Sequence, residues 1–203
     1  ELHADHNHRL LAGISNKFPI LHELKEFSIN TITGIPDKQG KIKLTKKSKL
    51  YLRLPVEAIA HVYSLAGEKL TIGECTIQLG NPELQTLKPV DTLRARLVTI
   101  KGYKEPEQFL LAAERQLKAL EISANIGIPA NDKGEPKRLT LKIQKYTIVG
   151  FSVVVSDLNP DDSIKLQIHG LGGKRRLGCG VFFSNIPIKQ DFRGNTNVET
   201  TLG

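Results

Sequence analysis

At 203 residues, 39% of them hydrophobic and 25% charged, the chain can build one large globular domain or two of about 100 residues, and it is too apolar to be disordered. No run approaches the roughly 18 apolar residues of a membrane span and no signal-peptide pattern opens the chain, so a cytoplasmic protein with no membrane partner is expected. The net charge of +8 attracts polyanions, nucleic acid first among them, although many plain enzymes are as basic.

The chain holds no methionine and begins Glu1-Leu2-His3, so a start segment is expected upstream. Apolar spacing predicts a helix from about Asp5 to Phe18, strands around Ser28 to Ile35 and Lys49 to Leu54, a helix from Pro55 to Ala66 and β-sequence from Lys69 to Leu79. This is the order β-α-β-β-α-β without its opening strand, which is expected in the upstream segment. Pro82 to Asp91, with prolines at 82 and 89, reads as a linker.

The second half repeats the order more plainly. Thr92 to Ile100 alternates as a strand, and Pro106 to Ile122 sets Phe109, Leu110, Ala113, Leu117 and Leu120 at helical spacing. After a polar loop from Ile126 to Pro136, Arg138 to Gln144 and Tyr146 to Ser156 predict a hairpin that bends at Gly150. Asn159-Pro160-Asp161-Asp162 opens a capped helix that should end at Gly170, and Cys179 to Ser184 suits a final strand. The expected architecture is α+β, with tandem ferredoxin-like domains at 1–81 and 92–203 joined by a linker at 82–91.

The most unusual segment is Gly170-Leu171-Gly172-Gly173-Lys174-Arg175-Arg176-Leu177-Gly178-Cys179-Gly180. Glycines let backbone amides approach phosphates while the three cations neutralise them; a mobile basic turn is the plainer reading. It is neither a Walker A loop nor a dinucleotide fingerprint, because it does not follow a strand and open a helix, so no nucleotide cofactor is expected. His169 immediately precedes it and stands where it can meet RNA. Cys75 and Cys179 form no CxxC pattern, which disfavours zinc and disulfides and leaves both reduced.

Histidines gather at the first helix as His3, His6 and His8, with His22 beyond its end after Pro19. His6 and His8 are too close in sequence to share a helical face and no HExxH occurs, so no metal site is expected. Exposed histidines near a helix start are one alternative. The other is metal-free RNA cleavage, in which a histidine removes the proton of a 2′-hydroxyl that attacks the adjacent phosphate, and cations stabilise the phosphorane on the way to a 2′,3′-cyclic phosphate. In the stretch from Lys41 to Leu54, alternation buries Ile42, Leu44, Leu50, Leu52 and Leu54. Lys41, Lys43, Lys49, Tyr51 and Arg53 then face outward, as a phosphate track or as a solvated sheet face. His61, on the helix opened by Pro55, reads as a surface histidine.

HGLGGKRRLGCGVF resembles the C-terminal signature of the CRISPR-associated repeat-processing endoribonucleases, in particular the subgroup named for myxobacterial systems. The resemblance extends through LRLPVEAIAHVYSLAGEKLTIG, LRARLVTIKGYKEPEQFLLAAERQL, TIVGFSVVVSDLNPDDSIKLQIHG, ADHNHRLLAGIS and PILHE, nearly the whole chain. It implies tandem ferredoxin-like domains of the RAMP type and a metal-independent endoribonuclease that cuts precursor CRISPR RNA within repeats. It also implies partners: the repeat RNA and crRNA, whose 3′ hairpin many members keep, and the other subunits of a Cascade-like effector complex. The alternative within the same family is a noncatalytic crRNA-binding subunit. By this resemblance His22 is the first choice as general base or acid, His6 the second, and His8 the third. Lys174, Arg175 and Arg176 would hold the repeat, with Gly172, Gly173, Gly178 and Gly180 permitting close backbone approach to RNA, and His169 beside them. Tyr51 and Tyr103 are candidates for stacking on bases, though packing is the commoner use of each.

Overall fold

Leu2 is buried, and that anchors the first element. In the computed structural model, which describes residues 1–184 apart from Lys25, Lys38, Gln144 and the side chain of His22, Leu2–His3 form β1. It pairs antiparallel with β4 (Lys41–Lys43), whose other edge takes β3 (Ile35–Pro36). A strand therefore precedes the first helix among the described residues, where the sequence reading began with a helix. The expected C-terminal unit runs beyond the described residues at 185–203.

Helix α1 (Asn7–Lys17) buries Leu10 and Ile14, and Gly13 lets it cross β6 (Lys69–Ile72) closely: a Cβ at Gly13 would stand 2.5 Å from the Thr71 carbonyl. Pro19 cannot continue α1 but suits the first turn of a new helix, α2 (Pro19–Glu23). β2 (Ser28–Ile29) pairs with β5 (Leu52–Arg53), both shorter than predicted. The predicted helix after Pro55 is a 3-10 turn, Val56–Ala58, followed by α3 (Ile59–Tyr63). β6 and β7 (Cys75–Gln78) form a hairpin around Gly73, whose φ of 65° favours glycine. Leu2, Leu10, Ile14, Leu21, Phe27 and Leu70 are among the core of this half.

In the second half β8 (Leu93–Val98), β10 (Arg138–Ile143) and β11 (Tyr146–Ser156) pair in the order β10-β11-β8. β9 (Asn125–Gly127), within the stretch read as a loop, pairs with the end of β11. Helices α4 (Pro106–Ala119) and α5 (Pro160–His169) cover one face. Phe109 meets Phe151 there with ring centroids 4.9 Å apart and planes tilted by 57°, an arrangement aromatic pairs favour. The β8–β11 register shifts between Phe151 and Val153, beside the bend expected at Gly150.

The predicted last strand, Cys179 to Ser184, is not one. Phe183 alone bridges Arg94, through two reciprocal backbone bonds of 2.9 Å. Gly178 and Gly180 have φ of 80° and 67°, outside extended geometry, so the ladder cannot start at Cys179. The chain is thus a mixed helix and sheet protein with several small antiparallel sheets. No helix among the described residues is long and apolar enough to cross a membrane.

Candidate RNA-processing site

The glycine-rich segment packs against both halves. Its centre is a 3-10 turn, Arg175–Leu177, entered through Lys174 at φ 64° and left through Gly178. The buried Asn7 amide, in the first turn of α1, donates to the Leu177 carbonyl at 2.7 Å. A Cβ on Gly178 would press on the Ile29 carbonyl at 2.6 Å and on the Asn7 amide at 3.1 Å. The loop thus lies on β2 and on the start of α1, which follows His6 and carries His8.

The backbone amides assigned to RNA are already used. The N–H of Gly172 donates to Gln116 Oε1 at 2.7 Å and that of Gly173 to the Thr99 carbonyl at 2.8 Å. Those of Gly178 and Gly180 donate to the carbonyls of Arg175 at 2.8 Å and Leu97 at 2.7 Å. A Cβ on Gly172 would collide with the Thr99 carbonyl and one on Gly180 with the Leu171 carbonyl. These glycines let the protein approach itself. Gly173 alone of the four has open space where a side chain would stand.

The three cations differ as well. Lys174 is exposed, whereas Arg175 and Arg176 are half-buried. Arg175 donates to the Ile168 carbonyl at the end of α5, and burial pulls its pKa below the usual arginine value. Its Nε is buried without a partner among the described residues. Arg176 donates to the Leu24 carbonyl at 3.1 Å, at the end of α2. His169, the last residue of α5, is exposed beside the loop.

Arg53 was expected to face outward and does not. Its guanidinium donates to the Gln167 carbonyl at 2.6 Å and the Phe182 carbonyl at 3.0 Å, and it lies 4.6 Å from the Phe183 ring centre. Burial, then the neighbouring Arg175 charge, lowers its pKa to about 10. Lys41, Lys43, Lys49 and Tyr51 are exposed as predicted, with Lys49 paired to Glu83 at 2.9 Å. Tyr103 is half-buried and accepts a 3.2 Å bond from Arg115.

The histidines divide by environment. His6 is fully buried at the N-terminus of α1. Its Nε2 accepts the Ile32 N–H at 3.0 Å, which leaves Nδ1 protonated and 2.8 Å from the His3 carbonyl. Burial depresses its pKa, so the ring is held neutral. His8 is half-buried in an open groove of about 600 Å³ between α1 and β6, lined also by Arg9, Asn16, Lys17, Lys69 and Thr71. His22 is on α2, and its side chain lies outside the described residues. Sequence reasoning did not anticipate the Arg9, Lys17 and Lys69 groove, because those cations are scattered over two distant segments. Nor did it anticipate the buried Asn7, which ties α1 to the loop.

Among solved structures, the chain is similar to a CRISPR-associated Cas6 protein, with a TM-score of 0.60 and 17% identity, covering 92% of this chain and 93% of that one. A Cas6-related protein of Pyrococcus furiosus matches with a TM-score of 0.58 and 16% identity over 93% of each chain. A RAMP protein that binds different RNA substrates matches with a TM-score of 0.56 and 17% identity, over 89% of this chain and 92% of that one. The fold is that of the CRISPR-associated RAMP proteins. The Cas6 CRISPR family model matches residues 1–189, and the CRISPR-associated endonuclease Cas6 of Myxococcus xanthus (strain DK1622) is 32% identical over 178 residues, which is 88% of this chain and 74% of that protein. The chain belongs to the Cas6 family.

Proposed function

We propose that this chain is a metal-independent endoribonuclease that cuts precursor CRISPR RNA within its repeats, giving mature crRNA, and that it stays bound to the 3′ hairpin of its product. The reading is carried by the similarity to the Myxococcus endonuclease across most of both chains. In it the protein is cytoplasmic, needs no cofactor and docks with other subunits of a Cascade-like effector complex. Two ferredoxin-like domains, 1–81 and 92–203 with a linker at 82–91, fit the two main hydrophobic cores, which draw on residues either side of that linker. The order β10-β11-β8, with Phe183 bridged to β8, supports the ferredoxin-like reading of the second unit.

In this mechanism a histidine takes the proton of the repeat 2′-hydroxyl, the alkoxide attacks the neighbouring phosphorus, the 5′-oxygen leaves with a proton from a general acid, and a 2′,3′-cyclic phosphate remains. We assign the general base or acid first to His22. His8 is second, being half-buried in a groove where Arg9 and Lys69 suit a phosphate, the third cation, Lys17, being paired with Glu68. His6, buried with both ring nitrogens engaged, serves the fold. Lys174 and His169 are the exposed polar groups at the loop and make its RNA contacts. Labelled repeat RNA incubated with the protein in EDTA tests this. A single cut ending in a cyclic phosphate, lost in His22→Ala while binding survives, is expected; tight binding without any cut, or a cut that EDTA abolishes, overturns it.

A further inference from the structure

Three contacts with the first half stand out for the loop segment Lys174–Gly178 among the described residues. Asn7 donates to Leu177, Gly178 rests on Ile29, and Arg176 donates to Leu24. The third reaches the residue that closes α2, two positions after His22. The last carbonyls of a helix have no partner within it, and a cation that donates to one of them both satisfies it and sits favourably at the negative end of the helix. Helix α2 is a single short helix between Pro19 and Leu24, too short to be stable alone, so its placement depends on what it packs against. Leu21 anchors it in the core from one side, and Arg176 reaches its end from the other half of the molecule, 152 residues away.

We infer that Arg176 is a positioning residue: by holding the Leu24 carbonyl it fixes the end of α2, and with it the place of His22, from the glycine-rich loop. This rests on the assignment of the cleavage chemistry to His22. It gives the loop two tasks, with Lys174 facing RNA and Arg176 facing the protein. Arg176 lies beyond reach of a simple charge count, since its contribution is to rate and not to affinity.

The test compares wild type, Arg176→Ala, Arg176→Lys, Lys174→Ala and His22→Ala on repeat RNA for single-turnover cleavage, and on the same RNA with a 2′-deoxy block at the cut for affinity across salt. Arg176→Ala should lower the cleavage rate at saturating protein by about tenfold or more, as small misplacements of a reacting group do, and leave affinity and salt slope within about twofold. Arg176→Lys, which keeps one donor and the charge, should recover part of that rate. Lys174→Ala should do the reverse, weakening binding with little change at saturation. If Arg176→Ala instead weakens binding and flattens the salt dependence while the saturating rate stays at wild type, Arg176 is an RNA contact and the inference is wrong. His22→Ala separates the two ideas, because wild-type cleavage in that variant removes His22 from the chemistry. In that event, or where Arg176→Ala lowers the melting temperature, the ring signals of histidine-labelled protein decide. Arg176→Ala should shift the His22 signal and spare that of His61, and an unmoved His22 signal sinks the inference.

Discussion

The Nε2 of His6 accepts the backbone N–H of Ile32 at 3.0 Å, and this one bond occupies the ring nitrogen that a general acid or base would use. A nitrogen that accepts a hydrogen bond from a backbone N–H does not also carry a proton, and the buried ring links the start of α1 to the loop between β2 and β3. His6 is thus a fixture that holds the start of α1 in place.

A pH dependence of stability follows. Burial sets the folded-state pKa of His6 below its ordinary value of 6.5. As pH falls through 6.5 the unfolded chain takes up a proton that the folded protein refuses, so stability is lost from there down to the folded pKa and His6 costs nothing above it. The contribution of one such group cannot exceed about 1.4 kcal/mol per pH unit. His6→Asn should lower the melting temperature at neutral pH and flatten the further loss between pH 7 and pH 5, taken as about two units across this window. Thermal melts across that range measure both, and a variant with the wild-type slope would show that another group titrates.

Arg53 should rank among the most damaging single truncations outside the apolar core. It makes two hydrogen bonds to carbonyls of the second half and lies over the Phe183 ring. Removing it leaves the Gln167 and Phe182 carbonyls short of a donor, at a cost of about 2–4 kcal/mol. Lysine cannot reproduce the fork that reaches both, so Arg53→Lys should recover less than half. Urea unfolding measures this. A loss below about 0.5 kcal/mol, the level of an ordinary surface substitution, would contradict the clamp.

Much of the second half was legible because its local signals agree. Asn159 caps α5 by accepting the Asp162 N–H at 2.8 Å, and Gly170 ends it with φ 61°, both as its sequence predicts. Alternation located β8 and both strands of the β10–β11 hairpin. The first half was less legible, because its strands are two to four residues long, too short for alternation to stand out. Nothing in the period-2 pattern around Arg53 says that its charge will be buried between two carbonyls 114 and 129 residues away. The glycine-rich loop was legible as unusual, but not for its reason. Composition shows that glycine is required; only the coordinates show that the Thr99, Ile29 and Leu171 carbonyls require it.

The four glycines assigned by resemblance to RNA approach should therefore separate by stability. Gly180→Ala combines a φ of 67° with a collision against the Leu171 carbonyl, and Gly172→Ala a φ of 73° with one against Thr99. Each should cost more than about 2 kcal/mol or prevent folding. Gly178→Ala combines a φ of 80° with a Cβ 2.6 Å from the Ile29 carbonyl, a milder collision than the other two, and should rank below them. Gly173→Ala meets nothing and has no positive φ, so it should stay within about 0.5 kcal/mol of wild type in both stability and RNA affinity. Chemical denaturation of the four variants checks the order. Equal effects would contradict the packing order drawn from these carbonyl contacts.

Lys174 offers the sharpest separation of fold from function. It has φ 64° and ψ 30°, a left-handed conformation that costs a side-chain-bearing residue about 1 kcal/mol relative to glycine. It is exposed, so little packing offsets that cost. A loop already rich in glycine keeps lysine at a position whose backbone glycine would suit better, which fits the RNA contact proposed for it. Lys174→Gly should therefore stabilise the protein, by up to about 1 kcal/mol, while weakening repeat RNA binding. Loss of one phosphate contact should also reduce the slope of log affinity against log salt by about 0.7 to 0.9. Melting temperature and affinity at several salt concentrations give the two readings from one variant. A more stable protein with unchanged affinity and slope would remove Lys174 from the RNA interface, whereas a less stable one would show that its side chain makes contacts the fold needs.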